Sequence, residues 1–167
     1  MKAKVAFKVS FLLAAIFIFN GAVLADYPST VLTPNGSTVN TTTVTTELDA
    51  WQISLYIAWT QTNFPNAVIL ANPTKKYNCH SYAWYWQSTG NTKWMNTPGD
   101  DTYWLDGSYW NTYYPIASDK VSYASDDHSG IFDGNNYVIS KWGNKCLVRH
   151  LSSYCPYNPL ILRYYRR

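Results

Sequence analysis

The sequence predicts an α+β fold in which N-terminal helices pack on an antiparallel sheet. A helix is indicated by four large apolar residues at helical spacing, Leu48, Trp51, Leu55 and Trp59. Strands are indicated further along the chain, where two short apolar runs flank the turn signal at residues 133–136. With 47% hydrophobic and 14% charged residues, the 167-residue chain can bury a core, which excludes disorder as its main state.

The first 25 residues have the three parts of a secretory signal peptide. Lys2, Lys4 and Lys8 make a positively charged start. Residues 9–19 form an apolar run broken by one serine, and small residues precede Asp26. Because this run is shorter than the roughly 20 residues that span a bilayer, we expect a cleaved leader and no stable membrane insertion. The features predict a secreted protein, either extracellular or in the cell envelope.

The charge balance argues against a nucleic-acid partner. The formal charge of +3 comes from the three lysines of the leader, and residues 26–167 carry ten basic and ten acidic side chains. A neutral mature chain lacks the positive charge that binding to a phosphate backbone requires. We therefore expect no nucleic-acid partner, and we expect a monomer.

Residues 26–46 are predicted to form a Ser/Thr-rich arm ahead of the domain. Ten of the eighteen residues from 29 to 46 are Ser or Thr, which is typical of a linker or of an extended segment lying over the domain. Thr46 is the predicted N-cap of the first helix, because acidic residues follow it where the helix dipole favours them. A single domain, residues 47–167, follows the arm.

The chain has three cysteines, so at least one has no partner within the chain. Export to an oxidising compartment permits disulfides. Cys146 and Cys155 flank a predicted strand and turn, and we expect them to form a disulfide. Cys79 is then the remaining thiol, which is either packed as a small hydrophobic residue or reactive.

Cys79 is predicted at the first position of a second helix. Asn78 is a suitable N-cap, and Gly90 can end the helix. The positive end of a helix dipole stabilises a thiolate, which is the nucleophilic form of cysteine. His80 follows directly but is expected to point about 100 degrees away from Cys79. His128, at the start of a predicted strand, is therefore the predicted base.

Three short segments occur in a characteristic order along the chain. They are Asn-Cys-His-Ser at 78–81, Ser-Asp-Lys-Val-Ser-Tyr at 118–123, and the segment 128–140, which begins His-Ser-Gly-Ile-Phe and ends Ile-Ser. In this order the segments resemble the NlpC-type cell-wall peptidases, which are compact papain-like cysteine hydrolases. The resemblance covers residues 77–142 and implies a papain-like, NlpC-type fold.

The resemblance also implies a set of catalytic residues. Cys79 corresponds to the nucleophile, His128 to the base and Ser140 to the third catalytic residue. The family usually has His, Asn or Gln at the third position, so Asn144 is an alternative to Ser140. The implied activity is that of a secreted cysteine amidase or peptidase acting on an amide bond of peptidoglycan stem peptides or of another peptide. Transfer to an amine instead of water remains open, and no cofactor or metal is expected.

Residues 91–115, between the cysteine helix and the histidine strand, are rich in aromatic side chains. The predicted substrate-binding residues are Trp94, Tyr103, Trp104, Tyr109 and Trp110. Their rings could stack on a ligand or fill a small core. The alternative function is accordingly a non-catalytic secreted module that binds glycan through this insert and uses Cys79 only for packing. Asp100, Asp101 and Asp106 lack the spacing of a calcium loop, so no metal site is predicted here.

Overall fold

The computed structural model describes residues 25–125 and 127–167. The predicted signal peptide lies outside the described residues, apart from Ala25. In the described ranges, no helix combines the length and the apolar character needed to cross a membrane. The fold is a mixed α/β arrangement made mostly of antiparallel strands.

The described chain contains ten strands and four short or medium helical segments. The strands are β1 (Tyr27–Leu32), β2 (Thr38–Thr43), β3 (Val68–Ala71), β4 (Lys93–Trp94), β5 (Trp110–Thr112), β6 (Lys120–Tyr123), β7 (His128–Gly134), β8 (Tyr137–Lys141), β9 (Leu147–Leu151) and β10 (Leu162–Arg166). The helical segments are α1 (Ala50–Asn63), a π-helix (Ser81–Tyr85), a 3₁₀-helix (Gly99–Asp101) and α2 (Thr102–Leu105).

The larger sheet has seven strands in the order β3-β9-β8-β7-β6-β10-β5. Its centre contains the hairpin predicted from residues 133–136, with Ile131 of β7 opposite Ile139 of β8. At the turn, Gly134, Asn135 and Asn136 have φ angles of 86°, 48° and 64°, which Gly and Asn tolerate better than other residues. The predicted hairpin is confirmed.

The Ser/Thr-rich arm forms most of a second sheet, with strand order β1-β2-β4. Val31 of β1 lies opposite Val39 of β2, and both side chains are buried. They belong to a core cluster that also contains Ile131 of β7 and Tyr165 of β10, so the cluster joins the two sheets. The arm is therefore part of the folded domain, because threonine and valine suit a strand that is buried on one face.

Helix α1 begins three residues later than predicted. Asp49 is its N-cap: Asp49 Oδ1 accepts from Gln52 N at 2.8 Å, and Gln52 Oε1 accepts from Asp49 N at 3.0 Å. Thr46, the predicted cap, instead bonds the Asp26 carboxylate. Apolar residues at helical spacing are expected to face the core, but Trp51 and Leu55 are 70% and 48% exposed, so this expectation is wrong for these two residues.

The second predicted helix is much shorter than expected. Residues 79 and 80 are helical and lead into the π-helix, which ends at Tyr85. Trp86 follows in an extended conformation, with φ of −145° and ψ of 110°. Gly90 therefore does not end a helix. The Asn91 amide, which donates to the carbonyls of Ser81 and Trp86, stabilises this early end of the helix.

Gly130 of β7 is expected to be the glycine least tolerant of a side chain. A Cβ at this position would lie 2.5 Å from Val138 Cγ1 and 3.1 Å from the Ile139 carbonyl oxygen. We expect Gly130→Ala to destabilise the fold by roughly 1 to 3 kcal/mol, because β7 and β8 would have to separate. Urea unfolding would measure the change. Gly90→Ala is the matched control, since its Cβ would meet atoms only at 3.5 and 3.6 Å. Equal stability of the two variants would contradict the prediction.

Candidate functional site

Asn78 fixes the start of the helix that carries Cys79. Its Oδ1 accepts hydrogen bonds from Ser81 N at 3.1 Å and from Met95 N at 3.2 Å, and its Nδ2 donates to the Met95 carbonyl at 2.5 Å. The predicted capping role of Asn78 is confirmed, and the same side chain ties the helix to the aromatic insert. Cys79 is 5% exposed at this fixed position.

The π-helix packs against the three central strands β6, β7 and β8. Trp84 Nε1 donates to Ser129 Oγ at 3.0 Å, and Ser129 directly follows His128 on β7. Ser129 is completely buried. This bond holds the segment after Cys79 against the strand that begins with His128.

His80 is held between two carboxylates. Its Nδ1 lies 2.9 Å from Asp100 Oδ2 and 3.0 Å from Ser129 Oγ, and its Nε2 lies 2.9 Å from Asp127 Oδ1. Thr97 Oγ1 donates to the same Asp127 oxygen. A carboxylate can only accept hydrogen bonds, so the ring donates from both nitrogens and is a positively charged imidazolium.

The charge of His80 is coupled to Cys79. Burial lowers the pKa of His80, but the electrostatic effect of the adjacent Cys79 and the hydrogen bonds to Asp100 and Asp127 outweigh burial and raise the pKa well above its usual value. Both ring nitrogens lie on groups other than the sulfur, so His80 acts on Cys79 through its charge.

His128 has the opposite electrostatic character. Its ring stacks on Tyr157, with centroids 3.5 Å apart and planes 8° apart, and meets the Tyr123 ring edge-on at 5.0 Å. Burial, followed by the charges of His80 and His150, lowers the pKa of His128 well below its usual value. The ring is therefore neutral at pH 7. Neither ring nitrogen has a hydrogen-bond partner among the described residues, so one lone pair is available to accept a proton.

Ser140 does not orient His128 as the third catalytic residue would. Its Oγ lies 2.8 Å from His150 Nε2 and accepts a hydrogen bond from Trp142 Nε1 at 3.0 Å. The ring of His128 is held instead by aromatic packing. The predicted role of Ser140 is corrected, because its hydroxyl already serves the buried His150. Asn144, the alternative, is half-buried in the turn between β8 and β9.

Cys146 and Cys155 are both thiols in the structure, so the predicted disulfide is not formed in it. Cys146 Sγ accepts from Thr60 Oγ1 at 3.6 Å, and Cys155 Sγ donates to the Ser152 carbonyl at 3.6 Å. Both cysteines belong to the cluster around Trp142. Each sulfur therefore contributes to packing and to a weak hydrogen bond of its own.

The five predicted substrate-binding aromatic residues have different surroundings. Tyr103 is 1% exposed and lies in the core, which leaves no ring face for a ligand and corrects its predicted role. Trp104 and Tyr109 are partly buried against the same core. Trp94 is half-buried and donates from Nε1 to Asn96 Oδ1. Trp110, at 57% exposure, presents most of its ring to solvent.

The two histidines share one cavity of about 380 Å³. Its charged and titratable lining residues are His80, Asp100, Asp101, Asp127, His128 and Arg163. Two of them, Asp100 and His128, contribute buried polar atoms without hydrogen-bond partners among the described residues: Asp100 Oδ1 and both nitrogens of His128. Buried polar atoms are almost always hydrogen bonded. These unpartnered atoms, together with the charged side chains, make the cavity the candidate functional site.

The partners of His80 were not predicted from the sequence. The two pairs of acidic residues, at 100–101 and 126–127, could have indicated them, but Asp100 and Asp127 lie 20 and 47 positions from His80, and sequence spacing does not show that they approach it. No group of His, Cys, Asp and Glu side chains in the described ranges has an arrangement that could hold a metal ion.

Comparisons with models of protein families, with curated proteins and with solved structures found no match for this chain. The resemblance to NlpC-type peptidases therefore depends on the three sequence segments alone.

Proposed function

We propose that this protein is a secreted cysteine amidase or peptidase with a papain-like, NlpC-type arrangement, in which Cys79 attacks an amide bond. One observation carries the proposal. One cavity is lined by a charged His80, which interacts electrostatically with the neighbouring Cys79, and by a neutral His128 with no hydrogen-bond partner among the described residues. Two groups of the same chemical type whose pKa values are shifted in opposite directions are typical of a site in which one group acts as an acid and the other as a base.

The directions of the two pKa shifts support a division of roles between the histidines. His128 is neutral at pH 7 and is the ring that can accept the thiol proton. His80 remains charged, and its positive charge stabilises the thiolate at Cys79. Asp100 and Asp127 hold His80 in its charged form, so they act as positioning residues for this ring.

The proposed reaction has two steps. In the first, Cys79 Sγ bonds to the amide carbonyl carbon, the C–N bond breaks, and His128 passes the thiol proton to the leaving nitrogen. A thioester and an amine result. In the second, His128 takes a proton from water, the hydroxide attacks the thioester, and a carboxylic acid and the Cys79 thiol are released. An amine in place of water would complete an acyl transfer by the same residues.

The substrate class follows from the resemblance and from the charge of the cavity. The NlpC-type segments favour a stem peptide of peptidoglycan, and a signal peptide would deliver the protein to it. Asp101 and Asp127 also line the cavity, and they favour a substrate region that carries a positive charge, such as a free amino group.

Incubating the purified protein with purified peptidoglycan is the direct test. We expect new amino groups to be released, and we expect prior treatment with iodoacetamide to stop the release by alkylating Cys79. A double variant, Cys146→Ala with Cys155→Ala, leaves Cys79 as the one thiol of the chain and serves as the control for the site of alkylation. Binding without release, or release that iodoacetamide leaves unchanged, would instead favour the glycan-binding module.

A further inference from the structure

A second, larger cavity adjoins the one that contains the histidines. This cleft has a volume of about 720 Å³ and is lined by residues of β5, of β10 and of the segment 104–109. Trp104, Arg163 and Tyr165 line both the cleft and the histidine cavity. A single ligand can therefore occupy the two cavities together.

The cleft presents aromatic rings on a rigid base. Trp110 is 57% exposed and Tyr113 is 89% exposed. Trp104 stacks on Tyr165, with centroids 4.9 Å apart and planes 22° apart, and this pair packs against the core. Exposed aromatic faces beside a packed base suit a ligand with flat apolar faces and polar edges, and pyranose rings have this character.

The charge of the cleft differs from that of the histidine cavity. No acidic residue lines the cleft, and its one charged lining residue is Arg163. In the part of the chain that the structure describes, Arg163 forms no ion pair, whereas Arg149 and Arg166 each pair with an aspartate. A guanidinium that pairs with no described carboxylate, in a cleft without acidic lining residues, favours a carboxylate on the ligand.

We propose that this cleft binds an acidic saccharide, whose pyranose rings lie on Trp110 and Tyr113 and whose carboxylate binds Arg163. The inference deepens the proposed function and rests on it in one respect. A glycan in the cleft would direct an attached peptide past Arg163 into the cavity that His80 and His128 line. Saccharide binding itself does not require the reaction.

Isothermal titration calorimetry with three disaccharides tests the proposal separately from catalysis. N-acetylglucosaminyl-N-acetylmuramic acid carries a carboxylate on a lactyl group, diacetylchitobiose lacks that group, and digalacturonic acid carries its carboxylates on the rings. None of them contains a peptide stem. We expect an acidic disaccharide to bind about tenfold more tightly than diacetylchitobiose. Tighter binding of the muramic-acid disaccharide would identify a peptidoglycan glycan as the source of the ligand. Tighter binding of digalacturonic acid would identify another acidic polysaccharide.

Variants assign the affinity to the cleft. Trp110→Ala is expected to weaken, by about fivefold, the binding of each disaccharide that the wild type binds. Arg163→Gln is expected to remove the preference for an acidic ligand and to leave diacetylchitobiose binding unchanged. Trp51→Ala, which removes a similarly exposed tryptophan from α1, is the matched control and should bind as the wild type does.

The outcomes of the titrations are distinct from those of the peptidoglycan assay. Equal affinity for acidic and neutral disaccharides, or a Trp110→Ala variant that binds as tightly as the wild type, would overturn the proposal. So would the absence of binding at millimolar ligand. A protein that binds acidic disaccharides through Arg163 and releases no amines would keep this inference and lose the proposed hydrolase activity.

Discussion

A Cys79→Ala variant is expected to lose at least about 10³-fold in kcat/KM for amide hydrolysis, because the proposed acyl intermediate forms on the Cys79 sulfur. The substitution removes one buried sulfur and leaves the capping bonds of Asn78 in place. The effect should therefore fall on the reaction and not on the fold. Release of amino groups from peptidoglycan, followed over time, measures the loss.

Cys146→Ala is the matched control for this variant. Cys146 is also a buried thiol, but it lies in the cluster around Trp142 and contacts Thr60, whereas Cys79 adjoins His80. We expect it to keep most of the activity while losing some thermal stability, since its packing and its contact with Thr60 are lost. A Cys79→Ala variant that retains more than a tenth of wild-type activity would exclude Cys79 as the nucleophile.

The second large effect is expected at His128. His128→Gln should reduce kcat/KM by about 10²- to 10⁴-fold, the usual contribution of a general base. The ring has no hydrogen-bond partner among the described residues, so glutamine removes a proton acceptor without breaking an observed hydrogen bond. His150→Gln is the control, because His150 is equally buried but bonds Ser140 outside the cavity. If the two variants lost activity to the same extent, the loss would reflect packing and His128 would not be the base.

The pH profile gives an independent measure of the same role. Because the pKa of His128 lies well below 6.5, the base stays deprotonated at pH 7, and its activity should be lost only as pH falls through the lowered pKa. The free energy of unfolding should also decrease as the pH falls below about 6.5. Burial lowers the pKa of His150 to about 4, so the unfolded chain takes up protons below pH 6.5 that the folded chain does not. Circular dichroism at each pH separates unfolding from protonation of the base.

Features set by neighbouring residues could be predicted from the sequence. The hairpin at 133–136 follows from glycine and asparagine at positions that require positive φ. The N-cap at Asn78 follows from a side-chain oxygen next to the start of a helix. In both cases the residues that determine the structure lie within a few positions of each other.

Features set by distant contacts could not be predicted in the same way. The Ser/Thr-rich arm has the composition of a linker, yet it pairs with β4 and contributes Val39 to the core. The charge of His80 depends on Asp100 and Asp127, which lie 20 and 47 positions further along the chain and approach it only in the folded protein. Aromatic composition also fails to separate the buried Tyr103 from the exposed Trp110, because both positions favour the same residue types.

The position of β10 has a consequence for when the protein can act. This last strand in chain order lies between β6 and β5, and it supplies the Arg163 and Tyr165 that line both cavities. A chain that has emerged only as far as residue 161 lacks the wall common to the two cavities. Binding of a ligand that occupies both cavities therefore becomes possible only after the final strand has inserted between β6 and β5.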